Sequence, residues 1–141
     1  MGITRTKTQV QWSAADTKSV TSATEVESDV FTLDDTCIAA SIQLYVENAG
    51  TPASGDTAVW RIKWSNGDTK ANTGDDYDTV EHAQYLITID TFASNTPGEN
   101  PSLRTLAIAP LATKFKLSCV CAQAATRNIT IAARVDEQRF A

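Results

Sequence analysis

The sequence predicts an all-β chain folded as an antiparallel β-sandwich of about eight strands, and three observations predict it. Apolar residues recur with a period of two along run after run, the runs are separated by clusters of Gly, Asn, Asp and Pro, and helical periodicity is confined to about one turn in Gly74–Gln84. Strands spaced in this way cover their edges best as two facing sheets in a jelly-roll-like order, not as one open sheet. The 141 residues form one domain, 1–141, large enough to hide roughly 70% of the surface of the unfolded chain, so a core forms without covalent staples.

At the N-terminus, Arg5 and Lys7 lie in a threonine-rich run with little to bury. Two readings stand for residues 1–8. They form either a mobile arm that lies on a neighbouring subunit, or the start of a first strand with Thr4, Thr6 and Thr8 facing out. Further strands are expected at "TQVQW" (8–12) and "EVESDVFTL" (25–33). In "TCIAASIQLYVEN" (36–48), Ile38, Ala40, Ile42, Leu44 and Val46 take one face while Gln43, Tyr45 and Glu47 take the other. "DTAVWRIKW" (56–64) places Ala58, Trp60, Ile62 and Trp64 together. The remaining strands are "AQYLITIDTF" (83–92), "LRTLAIAP" (103–110), "KFKLSCV" (114–120) and "RNITIAARV" (127–135).

Tryptophans that share a face with aliphatic residues read first as core, since aromatic side chains dominate packing in small sandwiches. A protein interface or a sugar-stacking platform is the alternative. Trp64, whose strand runs into Ser65–Asp68, is placed nearest the sandwich edge, and with Arg5 and Lys7 it is a candidate partner contact.

The chemistry-bearing residues are sparse. His82 is the sole histidine and has no nucleophile at a recognisable spacing. Cys37, Cys119 and Cys121 are odd in number, and Cys119 and Cys121 lie two apart, on the same side as Phe115 and Leu117. They read as small core hydrophobes, because Cys-x-Cys lacks the spacing of a structural zinc site. Asp68, Asp75, Asp76 and Asp78 offer oxygen ligands for calcium without the calcium-loop pattern, and read as a set of turns. The expectation is a non-enzymatic protein with no metal and no cofactor. A net charge of −5, with basic residues scattered, argues against nucleic acid as a partner. No run is apolar for long enough to span a membrane, and no apolar segment follows Met1 as in a secretory signal.

The segments "ENAGTPASGDTAVWRIKW", "GDDYDTVEHAQYLITIDT" and "PLATKFKLSCVCAQAATRNITIAARVDEQ", in this order, resemble small β-sandwich virion proteins of tailed bacteriophages that are associated with the head shell. The resemblance runs from about Thr36 to the C-terminus. It implies a structural role without catalytic residues: a decoration or cement subunit on the capsid exterior, assembled in the host cytoplasm. The major capsid protein would be its partner, and its own oligomers would be symmetric. A tail or head-fibre component, or a carbohydrate-binding adhesion module, is the alternative.

Overall fold

A computed structural model describes residues 2–21, 24–48, 57–67, 74, 76–77, 87–90, 102–108, 112–122 and 128–140. Among them are ten strands and no helix: β1 (Ile3–Gln9), β2 (Lys18–Thr21), β3 (Glu25–Glu27), β4 (Phe31–Thr32), β5 (Cys37–Asn48), β6 (Thr57–Ser65), β7 (Ile87–Asp90), β8 (Ser102–Ile108), β9 (Lys114–Ala122) and β10 (Asn128–Phe140). All pairings are antiparallel. The first sheet runs β1-β10-β5-β8 with β2 also on β10, and the second runs β3-β9-β6-β7 with β4 also on β9.

The ten segments occupy eight sheet positions. β1 and β2 lie end to end on one flank of β10, with Gln9 opposite Arg134 and Lys18 opposite Ile131. β3 and β4 share β9 in the same way, with Glu27 opposite Ser118 and Phe31 opposite Phe115. Counting each broken strand once gives the orders 1-8-3-6 and 2-7-4-5, which is the two-sheet jelly roll. The sandwich predicted from the period-two pattern is therefore present.

Its interior is filled by alternate residues of the long strands: Ala40, Ile42, Leu44 and Val46 of β5, Trp60, Ile62 and Trp64 of β6, Phe115, Leu117 and Cys119 of β9, and Ile129, Ile131, Ala133 and Val135 of β10. Trp64 meets Phe115 edge-on with ring centroids 5.2 Å apart, and Phe31 stacks on Phe115 at 5.1 Å.

The N-terminal third departs most from the expected boundaries. Strand β1 starts at Ile3 and ends at Gln9, so the strand expected at 8–12 lies largely outside it, and β2 is an additional strand. Residues 3–9 pair along their whole length with β10, as the first-strand reading has it. The faces are reversed, however. Thr6 and Thr8 stand opposite Glu137 and Val135, on the core side, while Ile3, Arg5 and Lys7 stand opposite Phe140, Gln138 and Asp136 on the outer side. Threonine is tolerated there because β1 overhangs the edge of the core, where Thr4 and Thr8 stay exposed.

Between the halves of the first strand, the chain dips into the sandwich to bury Trp12. Its ring meets Trp60 edge-to-face, with centroids 6.0 Å apart and planes at 66°. The turn that follows places Ser13 and Ala14 at φ 54° and 63°, left-handed values unfavourable for residues with a Cβ. Asp29 holds the turn: its carboxylate accepts the Ser13 N–H at 3.0 Å and the Ala14 N–H at 2.9 Å, and its own N–H donates to the Gln11 carbonyl at 2.9 Å. Asp29 sits in a β-bulge. The Ser28 N–H donates to the Leu117 carbonyl, and the three steps from Ser28 to Phe31 oppose the two from Leu117 to Phe115. One extra residue in the second sheet thus supplies the carboxylate that pins the detour of the first.

Three stability changes are expected in thermal or denaturant unfolding. Trp12→Ala should destabilise by about 3–5 kcal/mol through lost burial and the cavity left behind. Asp29→Ala should lose about 1–2 kcal/mol with its two charge-assisted hydrogen bonds, whereas Ala14→Gly should stabilise by up to about 1 kcal/mol by relieving a left-handed backbone. A destabilised Ala14→Gly protein would show that the methyl group contributes more than its backbone geometry costs.

Candidate functional site

The outer face of the first sheet carries two of the three sequence-predicted contacts, Arg5 and Lys7. β1 is an edge strand, and the alternation of the pleat places Arg5 and Lys7 together on its outer side. The Arg5 side chain is 62% exposed, and its guanidinium lies 3.7 Å from the Asp136 carboxylate. Ile3 and Phe140, cross-strand partners on the same side, are both largely exposed. Trp64 is not part of this surface. It lies in the second sheet, 3% exposed, with its ring in the core. Trp12 and Trp60 are 1% exposed, so all three tryptophans are packing groups and none offers a face to a sugar.

Farther in, the register lines up three rows across β10, β5 and β8. The middle row is Ala132, Tyr45 and Leu103. On one side of it lie Arg134, Gln43 and Thr105, with Gln9 of β1 opposite Arg134, and on the other side lie Thr130 and Glu47. Ala132 is small beside Tyr45, and the surface sinks there into an open cleft of about 390 Å³. The Arg134 Nε–H donates to Gln9 Oε1 at 3.4 Å, which ties the strand edge to the cleft wall.

Tyr45 and Glu47 are neighbours on one face of β5, and the Tyr45 hydroxyl donates a short hydrogen bond to Glu47 Oε2. The bond links two side chains that stand two residues apart on the same strand face. The bond to Glu47, burial and the adjacent negative charge, in that order, push the Tyr45 hydroxyl up to about 12. The phenol is therefore neutral across the physiological range.

At the far end of β10 a second polar cluster is structural. Glu137 is buried, and its carboxylate accepts the Asp34 N–H at 2.7 Å. Asp34 accepts from the Thr36 hydroxyl and N–H, and from Arg139 at 2.5 Å. The two Thr36 bonds and then the Arg139 charge, outweighing partial burial, hold the Asp34 carboxyl below its ordinary value. This cluster fixes the turn between β4 and β5. The outer face of the second sheet is internally paired: Lys116 Nζ lies 3.0 Å from Glu27 Oε1 and 4.9 Å from the Tyr77 ring centroid, and Lys63 Nζ is 4.0 Å from Glu27 Oε2.

No protein-family model and no curated protein matches the chain. Solved structures of similar shape include a chain of infectious bursal disease virus, Gx strain, with 12% identity and a TM-score of 0.45 over 97% of this chain. A chain of the Gt strain of that virus matches with 16% identity and a TM-score of 0.46 over 96% of this chain. This chain spans 32% and 33% of the length of those two viral chains. A subunit of the disulfide-linked pili of Bacillus endospore appendages matches with 12% identity and a TM-score of 0.39, over 98% of this chain and 89% of that one.

Of the remaining sequence-predicted positions, His82, Asp68, Asp75, Asp78 and the side chain of Cys121 lie outside the described residues. Asp76 is described, and its N–H donates to the Gly67 carbonyl at 2.9 Å. Cys119 is buried in the core and Cys37 is half-buried, its thiol pushed up first by burial and then by the Glu137 charge. Tyr45 and Glu47 were assigned by their alternation to the polar face of β5 without being singled out. An aromatic residue and an acid two apart on that face is the signal that marks them.

An alkaline stability loss should follow from Tyr45. Its pKa is raised on folding, so the folded state holds the proton more tightly, and the stabilisation is complete below about pH 10. It fades as the pH rises toward about 12. Ultraviolet titration of the phenol, with melting curves across that window, checks this; in Tyr45→Phe the alkaline decline should be shallower than in the parent.

Proposed function

We propose that this chain is a structural virion protein, a decoration or cement subunit that binds the assembled major capsid lattice on its exterior. The observation that carries the reading is the β1 edge: seven residues that, among the described residues, pair with another strand on one side only, bearing Arg5 and Lys7 on one face of a chain whose net charge is −5. An open edge with a short basic row suits extended backbone and acidic side chains on a partner, which strand addition and charge contacts together would hold. A subunit that binds only the assembled lattice stabilises it by linkage, since each bound copy favours the shell over its separated parts. The jelly roll supplies a rigid body for this role, and its own chemistry is confined to surfaces. Symmetric self-assembly, also proposed, would use a surface other than this edge.

Charge reversal tests the edge without removing the strand. Arg5→Glu with Lys7→Glu should lower the melting temperature of the free protein only modestly, because both side chains point outward and what is lost is the exposed Arg5–Asp136 ion pair, replaced by like charges. Capsid co-sedimentation at low salt should weaken by roughly tenfold, about 1.4 kcal/mol, and by less at high salt, where the contacts are screened. Equal binding at both salt concentrations would remove β1 from the interface. Imaging of virions that carry the labelled chain separates a capsid location from a tail or head-fibre one.

A further inference from the structure

The cleft across β10, β5 and β8 joins an apolar floor to a polar rim. Its floor is an apolar strip, Ala132, Tyr45 and Leu103, laid across three strands by register. Leu103 is 54% exposed, a large apolar side chain left in solvent. The strip is bordered by side chains whose planar polar groups donate and accept in fixed directions: Gln43 and Arg134 on one side, Glu47 on the other. Tyr45 lines the cleft, and the hydrogen bond from its hydroxyl to Glu47 ties the end of the ring in place before anything binds.

We infer that this cleft is a saccharide-binding site in which the Tyr45 ring stacks on the C–H face of a pyranose, while Gln43, Arg134 and Glu47 hydrogen-bond its hydroxyls. The match is one of ligand chemistry. A sugar ring has a flat apolar face and an equatorial girdle of groups that both donate and accept, and here an amide, a guanidinium and a carboxylate border an aromatic floor. A purely apolar ligand would leave the Gln43 amide and the remaining donors and acceptors of Arg134 and Glu47 facing hydrocarbon, and an inorganic anion would meet the Glu47 carboxylate and have no use for the floor. The volume of about 390 Å³ falls in the small-ligand range. The cleft is open on its solvent side, which suits one or two residues of a longer glycan at a surface. All these residues lie on regular strands, so the constellation is rigid. The inference does not depend on the virion reading, since a lattice-bound subunit can present its sheet face outward and a free module can do the same.

The test uses the intact protein on a microarray of mono- to hexasaccharides, followed by titration of the strongest ligand with calorimetry or amide chemical shifts. Binding should perturb the amides of β5 and β10 around Tyr45 and Ala132. Tyr45→Ala should weaken it at least tenfold, and Gln43→Ala by several-fold. Glu25→Ala, on the second sheet, should leave it unchanged. Tyr45→Phe keeps the stacking surface but frees the ring from Glu47, and should lose less than Tyr45→Ala. Each variant is first shown to melt as a folded protein, and Gln43→Ala keeps the test decisive if Tyr45→Ala does not fold. No saccharide bound, or binding indifferent to Tyr45 and Gln43, overturns the inference. Capsid binding lost in Tyr45→Ala with no saccharide bound would also overturn it, by making the face a protein contact. Loss of saccharide binding with normal capsid occupancy, or the reverse, separates this inference from the proposed function.

Discussion

Strand β10 has three partners at once, and the rest of the sandwich depends on that. One flank pairs with β1 over seven residues and with β2 over four, and the other pairs with β5 from Ile129 to Arg139. A strand with neighbours on both sides satisfies its backbone groups without water, which is what allows Ile129, Ile131 and Val135 to be fully buried. The same strand carries Arg134 and Ala132 on its outer side and Glu137 at the end of its core side. Core, cleft and the anchor for the β4–β5 turn are thus set by one register. A shift of one residue would exchange the core set with the cleft set and cannot be tolerated.

The detour around Trp12 is the second constraint, and it follows from the first. Because β1 and β2 must share one flank of β10, the residues between them have to leave the sheet plane and return. Burying a tryptophan makes that excursion favourable, and the Asp29 carboxylate on the facing sheet holds its turn. The strain at Ser13 and Ala14 is local, offset by burial and by two charge-assisted hydrogen bonds. The broken edge is therefore a tie between sheets at the point where a sandwich of two independent edges would be weakest.

The long strands β5, β6, β9 and β10 were legible in the sequence because alternation over seven or more residues leaves one consistent way to face a core, and the described inward residues of β5, β6 and β9 are those expected, Ile38 apart. Ile38 is 42% exposed, near the point where the β5–β10 register shifts at Gln138 and Arg139. The first 33 residues were less legible for a physical reason. Their strands are short, their inward positions include threonine, and their path is set by tertiary partners such as Asp29 that lie far away in sequence. Arg5 and Lys7 were recognised from their charge in an otherwise neutral run, and their shared outer face follows from the pleat. Trp64 was assigned to an edge from the turn that follows it, but Phe115 covers it from the neighbouring strand, a contact that only the β6–β9 register reveals. The cleft was not legible, because its floor and rim come from three strands that only register brings into rows.

The charge pattern of β1 bears on what this edge can pair with. Two copies of β1 joined antiparallel with their outer faces on the same side can meet in three central registers. These set Arg5 against Arg5, Lys7 against Lys7, or Arg5 against Lys7, as the alternation in "ITRTKTQ" requires. Like charges directly opposite one another destabilise a strand pair, so each register is opposed by the same two residues. Natural sheets protect open edges with charges in this way. Like-charge contact thus disfavours pairing of this edge with its own copy. The same two residues that disfavour pairing of this edge with its own copy are the charges that the proposed acidic partner would meet.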